Sequence, residues 1–271
     1  AQVNSWLEHV KDDGRVHGRV ISNGAVTGRM THQNPNMAQV PSASSEYGEE
    51  CRKCWIVPEG YKLVGFDASG LELRMLAHYM GDEEFTDALL DGDIHTRNQL
   101  AAGLQTRPQA KTFIYAFLYG AGDAKIGAIV GGTAADGRVL RHDFLRNTPA
   151  LEALRDRVGQ ASRRGYLRGL DGRRLWVRSE HSALNTLLQA AGAVVMKRAL
   201  LLLDAAATEQ NLNYRFIGNI HDEIQSEVVT EQAEIYGQLA VDCLKEAGVS
   251  FNLRCPLDGE FKIGTTWADT H

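Results

Sequence analysis

Apolar positions along this chain follow two periods, and the switches between them set out its elements. Residues 61–66 form a short, nearly continuous β-type run that ends at Asp67. The turn Ala68-Ser69-Gly70 follows, and residues 71–80 take helical spacing. Helical patterning then dominates residues 82–164, broken by Gly131-Gly132. Residues 167–177 read as a hairpin about Asp171-Gly172. Residues 182–209 read as a long, mostly apolar helix. Residues 215–220 and 224–228 read as two strands joined by His221-Asp222-Glu223. A helix over about residues 231–247 and an irregular tail close the chain. Near the start, residues 16–41 read as short strands and loops punctuated by Gly18, Gly24 and Gly28. Strands thus sit towards both ends, with a mainly helical block inserted between them. The expected fold is α/β in the α+β sense, an antiparallel sheet backed by helices.

Two carboxylates fall at strand ends. Asp67 lies where a strand gives way to a turn, and Asp222 lies at a hairpin tip with Glu223 beside it. Such groups on neighbouring strands repel unless a divalent cation lies between them. Oxygen-only ligands suit magnesium or manganese better than zinc. Two-metal phosphoryl transfer needs this kind of arrangement. Taken alone, however, an aspartate in a turn is an ordinary turn residue.

The helix expected from Thr106 onward is more specific. Thr106 and Gln109 make a capping box, and Pro108 suits the first turn. Arg107, Lys111, Tyr115 and Tyr119 then recur at every fourth position, one polar and aromatic stripe. Phe113, Ile114, Phe117 and Leu118 fall on the opposite face. Cations near a helix N-terminus oppose the macrodipole by about 0.3–1 kcal/mol each. A bound triphosphate would answer that conflict, with phosphates on Arg107 and Lys111 and the sugar and base against the tyrosines.

Composition narrows the classes. With 271 residues and 44% hydrophobic content, the chain can bury a sizeable core. No apolar run is expected to reach the roughly 20 residues of a membrane span, and the N-terminus does not read as a secretory signal. Four cysteines are too few for a disulfide framework. The lone Cys51–Cys54 spacing lacks the second pair that a structural zinc site wants, and reduced thiols in a cytoplasm are expected. The formal charge of −5 argues against a nucleic-acid partner, but its distribution does not. Between Arg138 and Arg178 stand eleven arginines and four acids. Such a stretch can track a phosphate backbone, or it can be a solvated face.

In order along the chain, these segments resemble the family A DNA polymerases, the bacterial DNA polymerase I family, and most closely the replicative enzymes of short-tailed phages. Asp67-Ala68-Ser69-Gly70-Leu71-Glu72-Leu73-Arg74 is similar to the family's first catalytic motif. Residues 107–120 resemble its nucleotide-binding fingers helix, and Ile220-His221-Asp222-Glu223 its second catalytic motif. Thr27-Gly28-Arg29 and Gln39-Val40-Pro41 resemble segments along the primer-template duplex. Residues 184–189 resemble the palm helix at the minor groove. Ala68 and Gly70 favour the phage branch.

The resemblance implies a palm at residues 1–81 and 181–271 and fingers at 82–180. It implies template-directed addition of deoxynucleotides to a primer 3′-hydroxyl, with two Mg2+ ions that Mn2+ can replace. Asp67, Ala68 and Asp222 would be the metal-binding positions and Glu223 an auxiliary. Arg107, Lys111 and His95 would contact the triphosphate, Lys111 also serving catalysis. Tyr115 would lie near the sugar 3′ position. Glu72 would pair with Tyr119 and reject a ribose 2′-hydroxyl. Arg29, Gln39, Asn185 and Gln189 would contact the nascent duplex, and His221 the primer end. Donors there could test base pairing without reading sequence, because minor-groove acceptors occupy equivalent places on every correct pair. Fingers closure would complete the site. The likeness starts almost at Ala1, so a thumb, a proofreading exonuclease and a thumb-borne processivity site are expected to be missing. A separate chain would then supply them in a phage-infected bacterial cytoplasm, with no membrane involved. Three alternatives stay open: a single-subunit RNA polymerase, a silent DNA-binding fragment and a metal nuclease.

Overall fold

The computed structural model describes residues 2–270. It divides into two compact units: Ala1–Leu71 with Gly192–Asn252 and Pro256–His271, and Glu72–Ala191 with Leu253–Cys255. The divisions fall near residues 71 and 191, so the helical unit extends about ten residues beyond the expected 82–180 at each end.

The first unit opens with α1 (Gln2–Leu7), the antiparallel ribbon β1 (Arg19–Ile21) and β2 (Thr31–Gln33), and α2 (Gly48–Lys53). Its centre is a four-stranded, wholly antiparallel sheet. Three of its strands are β3 (Tyr61–Ala68), β6 (Tyr214–Ile220) and β7 (Glu223–Val229). The fourth is β8 (Gly259–Gly264), and the order is β6-β7-β3-β8. β3 has neighbours on both sides, and its Leu63, Val64, Phe66 and Ala68 are buried. This explains its nearly unbroken apolar run. β3 continues two residues beyond the Phe66 limit expected from sequence, so Asp67 lies inside the strand, and it is exposed there. The expected irregular tail is also corrected. Residues 259–264 are a strand, because pairing with β3 fixes the alternation of Glu260, Phe261, Lys262 and Ile263.

Helix α11 (Ala233–Ser250) covers the sheet face that bears Phe261. A Cβ on Gly237 would lie 2.2 Å from the Phe261 ring, so the helix can sit this close only with glycine there. The opposite face carries alternate polar residues of β7, and all three are buried and bonded. Glu223 binds Gln225 and Trp267, Gln225 binds Thr270, and Glu227 binds Arg15 and Arg215. Trp6, Val40, Val57, Leu63 and Trp267 form an apolar cluster within the same unit.

The second unit is mainly helical, with α3 (Leu71–Met80) entering it and α10 (Ala183–Glu209) leaving it. Between them run α4 (Glu83–Leu90), α5 (Ile94–Ala102), α6 (Arg107–Leu118), α7 (Asp123–Ala128), α8 (Ala134–Arg146) and α9 (Pro149–Ser162). A hairpin of β4 (Tyr166–Arg168) and β5 (Arg174–Trp176) follows. Phe113 and Phe117 of α6 meet Phe144 of α8 edge-on at 5.0 and 5.3 Å. One further expectation is corrected. The stretch around α10, residues 180–209, is long and apolar enough to cross a membrane by length and composition. Its most apolar 18-residue window is 61% buried, as in the core helix of a folded domain, and exposed residues such as Arg198, Leu201 and Asp204 mark its outer side.

Candidate functional site: a carboxylate pair and a nucleotide-type helix

In the first unit, strand pairing brings the two catalytic-type segments together. Asp67 of β3 stands opposite Glu223 of β7 and Glu260 of β8. The amide of Ala68 donates to the carbonyl oxygen of Asp222 at 3.1 Å. Asp222 belongs to a two-residue turn, His221-Asp222, since Ile220 already pairs with Glu223. His221 has φ of +62°, a left-handed conformation that glycine usually supplies in such turns. Holding a non-glycine residue there costs about 1–2 kcal/mol. The outlier therefore sits one residue from an expected metal ligand, where strain often accompanies function.

Asp67 is exposed, Asp222 is half-buried, and Glu223 is only 5% exposed. One oxygen of Glu223, Oε1, accepts from Trp267 Nε1 at 2.5 Å and from Gln225 Nε2 at 2.6 Å. Trp267 in turn stacks under the Arg52 guanidinium at 4.4 Å. Glu223 is thus a braced carboxylate, not a mobile one. Gly65, Asp67, Glu223, Glu260, Lys262 and Thr270 line a hollow of about 170 Å³ on this face. Sequence reasoning missed Glu260, Lys262, Gln225 and Trp267. The polar–apolar alternation of residues 259–264 was the available signal for the first two.

No cluster of three or more acidic, histidine or cysteine side chains forms a ready-made metal cage among the described residues. Asp67 and Asp222 are oxygen donors on adjoining backbone, and Ala68 has only its carbonyl to offer. Such a sparse donor set fits magnesium, which keeps several coordination positions for water and phosphate oxygens.

In the second unit, α6 begins as its sequence dictates. Thr106 accepts from the Gln109 amide, and the Gln109 side chain accepts from the Thr106 amide. Phe113, Ile114, Phe117 and Leu118 are buried, while Arg107, Lys111 and Tyr119 are exposed and Tyr115 is half-buried. Tyr115 and Tyr119 stack with ring centres 6.3 Å apart. The Tyr119 hydroxyl donates to Glu72 Oε1 at 3.1 Å. Arg107 donates to the carbonyl of Gly92 at 3.2 Å, just before α5. His95, in the first turn of α5, is held below its ordinary pKa by burial, then by the charges of Arg107 and Lys111. Its Nδ1 is buried without a hydrogen-bond partner. Two cations and an unsatisfied imidazole nitrogen make a setting suited to an anion.

The duplex-type residues are divided between the units. Arg29 is half-buried in the loop that joins β1 to β2. Gln39 is exposed in a 3₁₀ turn, Met37–Gln39, capped by Asn36. Asn185 and Gln189 lie one turn apart on α10, half-exposed, while Leu184, Leu187 and Leu188 are buried. Cys51 and Cys54 carry free thiols.

Residues 1–269 match the family model "DNA polymerase family A". The chain is 44% identical over 98% of its length to the DNA-directed DNA polymerases of Enterobacteria phage T3 and Escherichia phage T7. It spans 43% of the length of those relatives. DNA polymerase I of Lactococcus lactis is 27% identical over 98% of the chain, which covers 32% of that protein. The structure resembles the POL domain of Pol1 from M. smegmatis, solved with DNA primer-template and dNTP. The TM-score is 0.89 at 25% identity, covering 99% of this chain and 51% of that one. Sheet topology, motif order and sequence agree: the chain belongs to DNA polymerase family A.

Proposed function

We propose that this chain carries the catalytic palm and fingers of a template-directed DNA polymerase. The observation that carries the reading is the junction of β3 with the β6–β7 turn, where Ala68 bonds to Asp222 and Asp67 pairs with Glu223. Primer-template DNA and deoxynucleoside triphosphates are the proposed partners. The primer 3′-hydroxyl gives up its proton to solvent, its oxygen attacks the α-phosphorus to form the new phosphodiester bond, the bond from the α-phosphorus to the oxygen bridging to the β-phosphate breaks, and pyrophosphate leaves. Magnesium or manganese ions held by Asp67, Asp222 and the Ala68 carbonyl would supply charge neutralisation there when bound.

The chain's own residues do the rest. Arg107 and Lys111 bind the triphosphate and offset charge that grows on the departing pyrophosphate. His95 offers a neutral imidazole to a phosphate oxygen. Tyr115 packs near the sugar. Glu72, tied to Tyr119, leaves no room for a 2′-hydroxyl. Glu223, braced by Trp267 and Gln225, adds fixed negative charge beside Asp67. Arg29, Gln39, Asn185, Gln189 and His221 hold the nascent duplex and the primer end.

Primer extension with magnesium, four deoxynucleotides and a defined template tests the reading. Asp67→Ala and Asp222→Ala are each expected to abolish extension while duplex binding persists. Extension that survives either change would end the assignment. Glu72→Ala is expected to raise ribonucleotide incorporation, and unchanged rejection would remove Glu72 from sugar selection.

A further inference from the structure

The arginine-rich stretch of residues 138–178 is not used by the proposed reaction, and its end forms a surface with its own logic. In the β4–β5 hairpin, Tyr166 pairs with Trp176, Leu167 with Leu175, and Arg168 with Arg174. Leu167 and Leu175 are buried. The opposite face therefore carries two aromatic and two cationic side chains. Trp176 is 63% exposed. It meets Tyr166 edge-on at 6.0 Å, and the Arg174 guanidinium lies 4.9 Å from the Tyr166 ring centre.

Two features of this face work against folding. Like charges placed directly opposite each other on paired strands destabilise a hairpin, and Arg168 and Arg174 are placed so. Neither makes an ion pair with a carboxylate among the described residues, and the nearby Asp171 is already engaged by Arg173 at 2.6 Å. A largely exposed tryptophan gives up burial energy as well. Arg164 and Arg178, exposed just outside the two strands, add further positive charge, while Arg163 stands 4.0 Å from Glu180. One ligand class reverses both costs: it is anionic at regular spacing and presents flat apolar faces between its charges.

We propose that the outer face of the β4–β5 hairpin is a binding platform for unpaired DNA. One base stacks on Trp176, and the flanking phosphodiesters lie on Arg168 and Arg174. A duplex fits poorly, because its base faces are covered by stacking on each other. An acidic peptide would satisfy the arginines but leave the tryptophan unused. The platform reads no sequence, since every base has a stacking face.

The test uses the full chain with a 3′-blocked oligothymidylate in EDTA, without primer or nucleotide, so it is independent of polymerase activity. Of the four tryptophans, Trp6, Trp55 and Trp267 belong to or pack on one apolar cluster, which leaves Trp176 as the exposed reporter. The oligonucleotide is expected to quench tryptophan emission in the native chain. Trp176→Ala should weaken binding of a labelled oligonucleotide by roughly 5- to 100-fold, and Trp176→Phe should restore most of it. The double change Arg168→Gln, Arg174→Gln should reduce the steepness of log K against log salt by about 1.4, near 0.7 for each phosphate no longer engaged. Its unfolding midpoint should not fall, because the opposed charges are gone. Unquenched emission, or oligonucleotide affinity that Trp176→Ala leaves unchanged, overturns the platform. So does polyglutamate that competes through the arginines with no dependence on Trp176, which would make the face a site for acidic protein. Failure of primer extension would refute the polymerase reading and leave this result standing.

Discussion

At the scale of single residues, the informative groups are those whose surroundings constrain them most. Glu223 is a buried carboxylate with two donors on one oxygen. Removing one partner of a buried charged group costs about 1–3 kcal/mol. Trp267→Phe keeps a ring under Arg52 but removes the indole N–H. Urea unfolding is expected to show a loss in that range, and Glu223→Gln in the same background should recover part of it. A loss too small to measure would mean that the brace contributes nothing. His95 gives a second case. Its folded pKa lies below the ordinary ~6.5 of an unfolded histidine. Between those two values the unfolded chain binds the extra proton, so stability rises with pH through that window and is lost on acidification. Lys111→Met removes one of the charges that depress the imidazole, and the midpoint of His95 followed by NMR is expected to rise. A nucleoside triphosphate added to the native chain should raise it too. A midpoint indifferent to both would show that the triphosphate does not reach His95.

Elements show where local preference and packing agree and where they conflict. In α6 they agree, since Thr106 caps a helix whose first residue is Arg107. Thr106→Ala should cost about 1 kcal/mol and fray the turn that carries Arg107, so KM for nucleotide should rise more than kcat falls. In α11 they conflict. Glycine inside a helix is about 1 kcal/mol worse than alanine, so propensity alone predicts that Gly237→Ala stabilises. The added methyl would stand 2.2 Å from Phe261, and overpacking of this kind costs about 1–3 kcal/mol. Packing wins, and thermal unfolding is expected to show a lower midpoint; a higher one would mean that α11 can shift off the sheet. The same contrast explains which elements could be read in the sequence. α3 announced itself through helical spacing, α10 through its long apolar run, and β6 and β7 through two β-type runs around a tight turn. β8 alternates legibly, but it is a strand only because β3 offers an open edge. α1 and α2 are six residues each, too short for a period to stand out, and they are held by tertiary contacts.

Across the whole molecule, the candidate site residues were more legible than what holds them. Asp67, Asp222, the α6 stripe and the Glu72–Tyr119 pair could be named because residue types at fixed spacing in several segments carry the resemblance. The brace on Glu223 could not, because Trp267 lies 44 positions away and nothing local marks that carboxylate as buried. Net charge was the least informative quantity of all. The chain totals −5, yet the unit Glu72–Ala191 with Leu253–Cys255 holds 17 Lys and Arg against 14 Asp and Glu, a surplus of three. The other unit holds the remaining 12 against 20. Fields at ~0.15 M salt fade over about 8 Å, so a phosphate backbone senses the local surplus and not the total. DNA binding should therefore behave like that of a basic protein: affinity for primer-template should fall steeply between 50 and 200 mM salt, by about 0.9 in log K per log salt for each phosphate engaged. Replacing an exposed arginine of the second unit by glutamine should flatten that slope. Replacing an acid of the first unit by its amide, away from Asp67, Asp222 and Glu223, should leave it nearly unchanged. Titrations at four salt concentrations decide the matter. A slope that follows total charge, steepening as much for the removed acid as it flattens for the removed arginine, would show that the two units do not act as separate electrostatic surfaces.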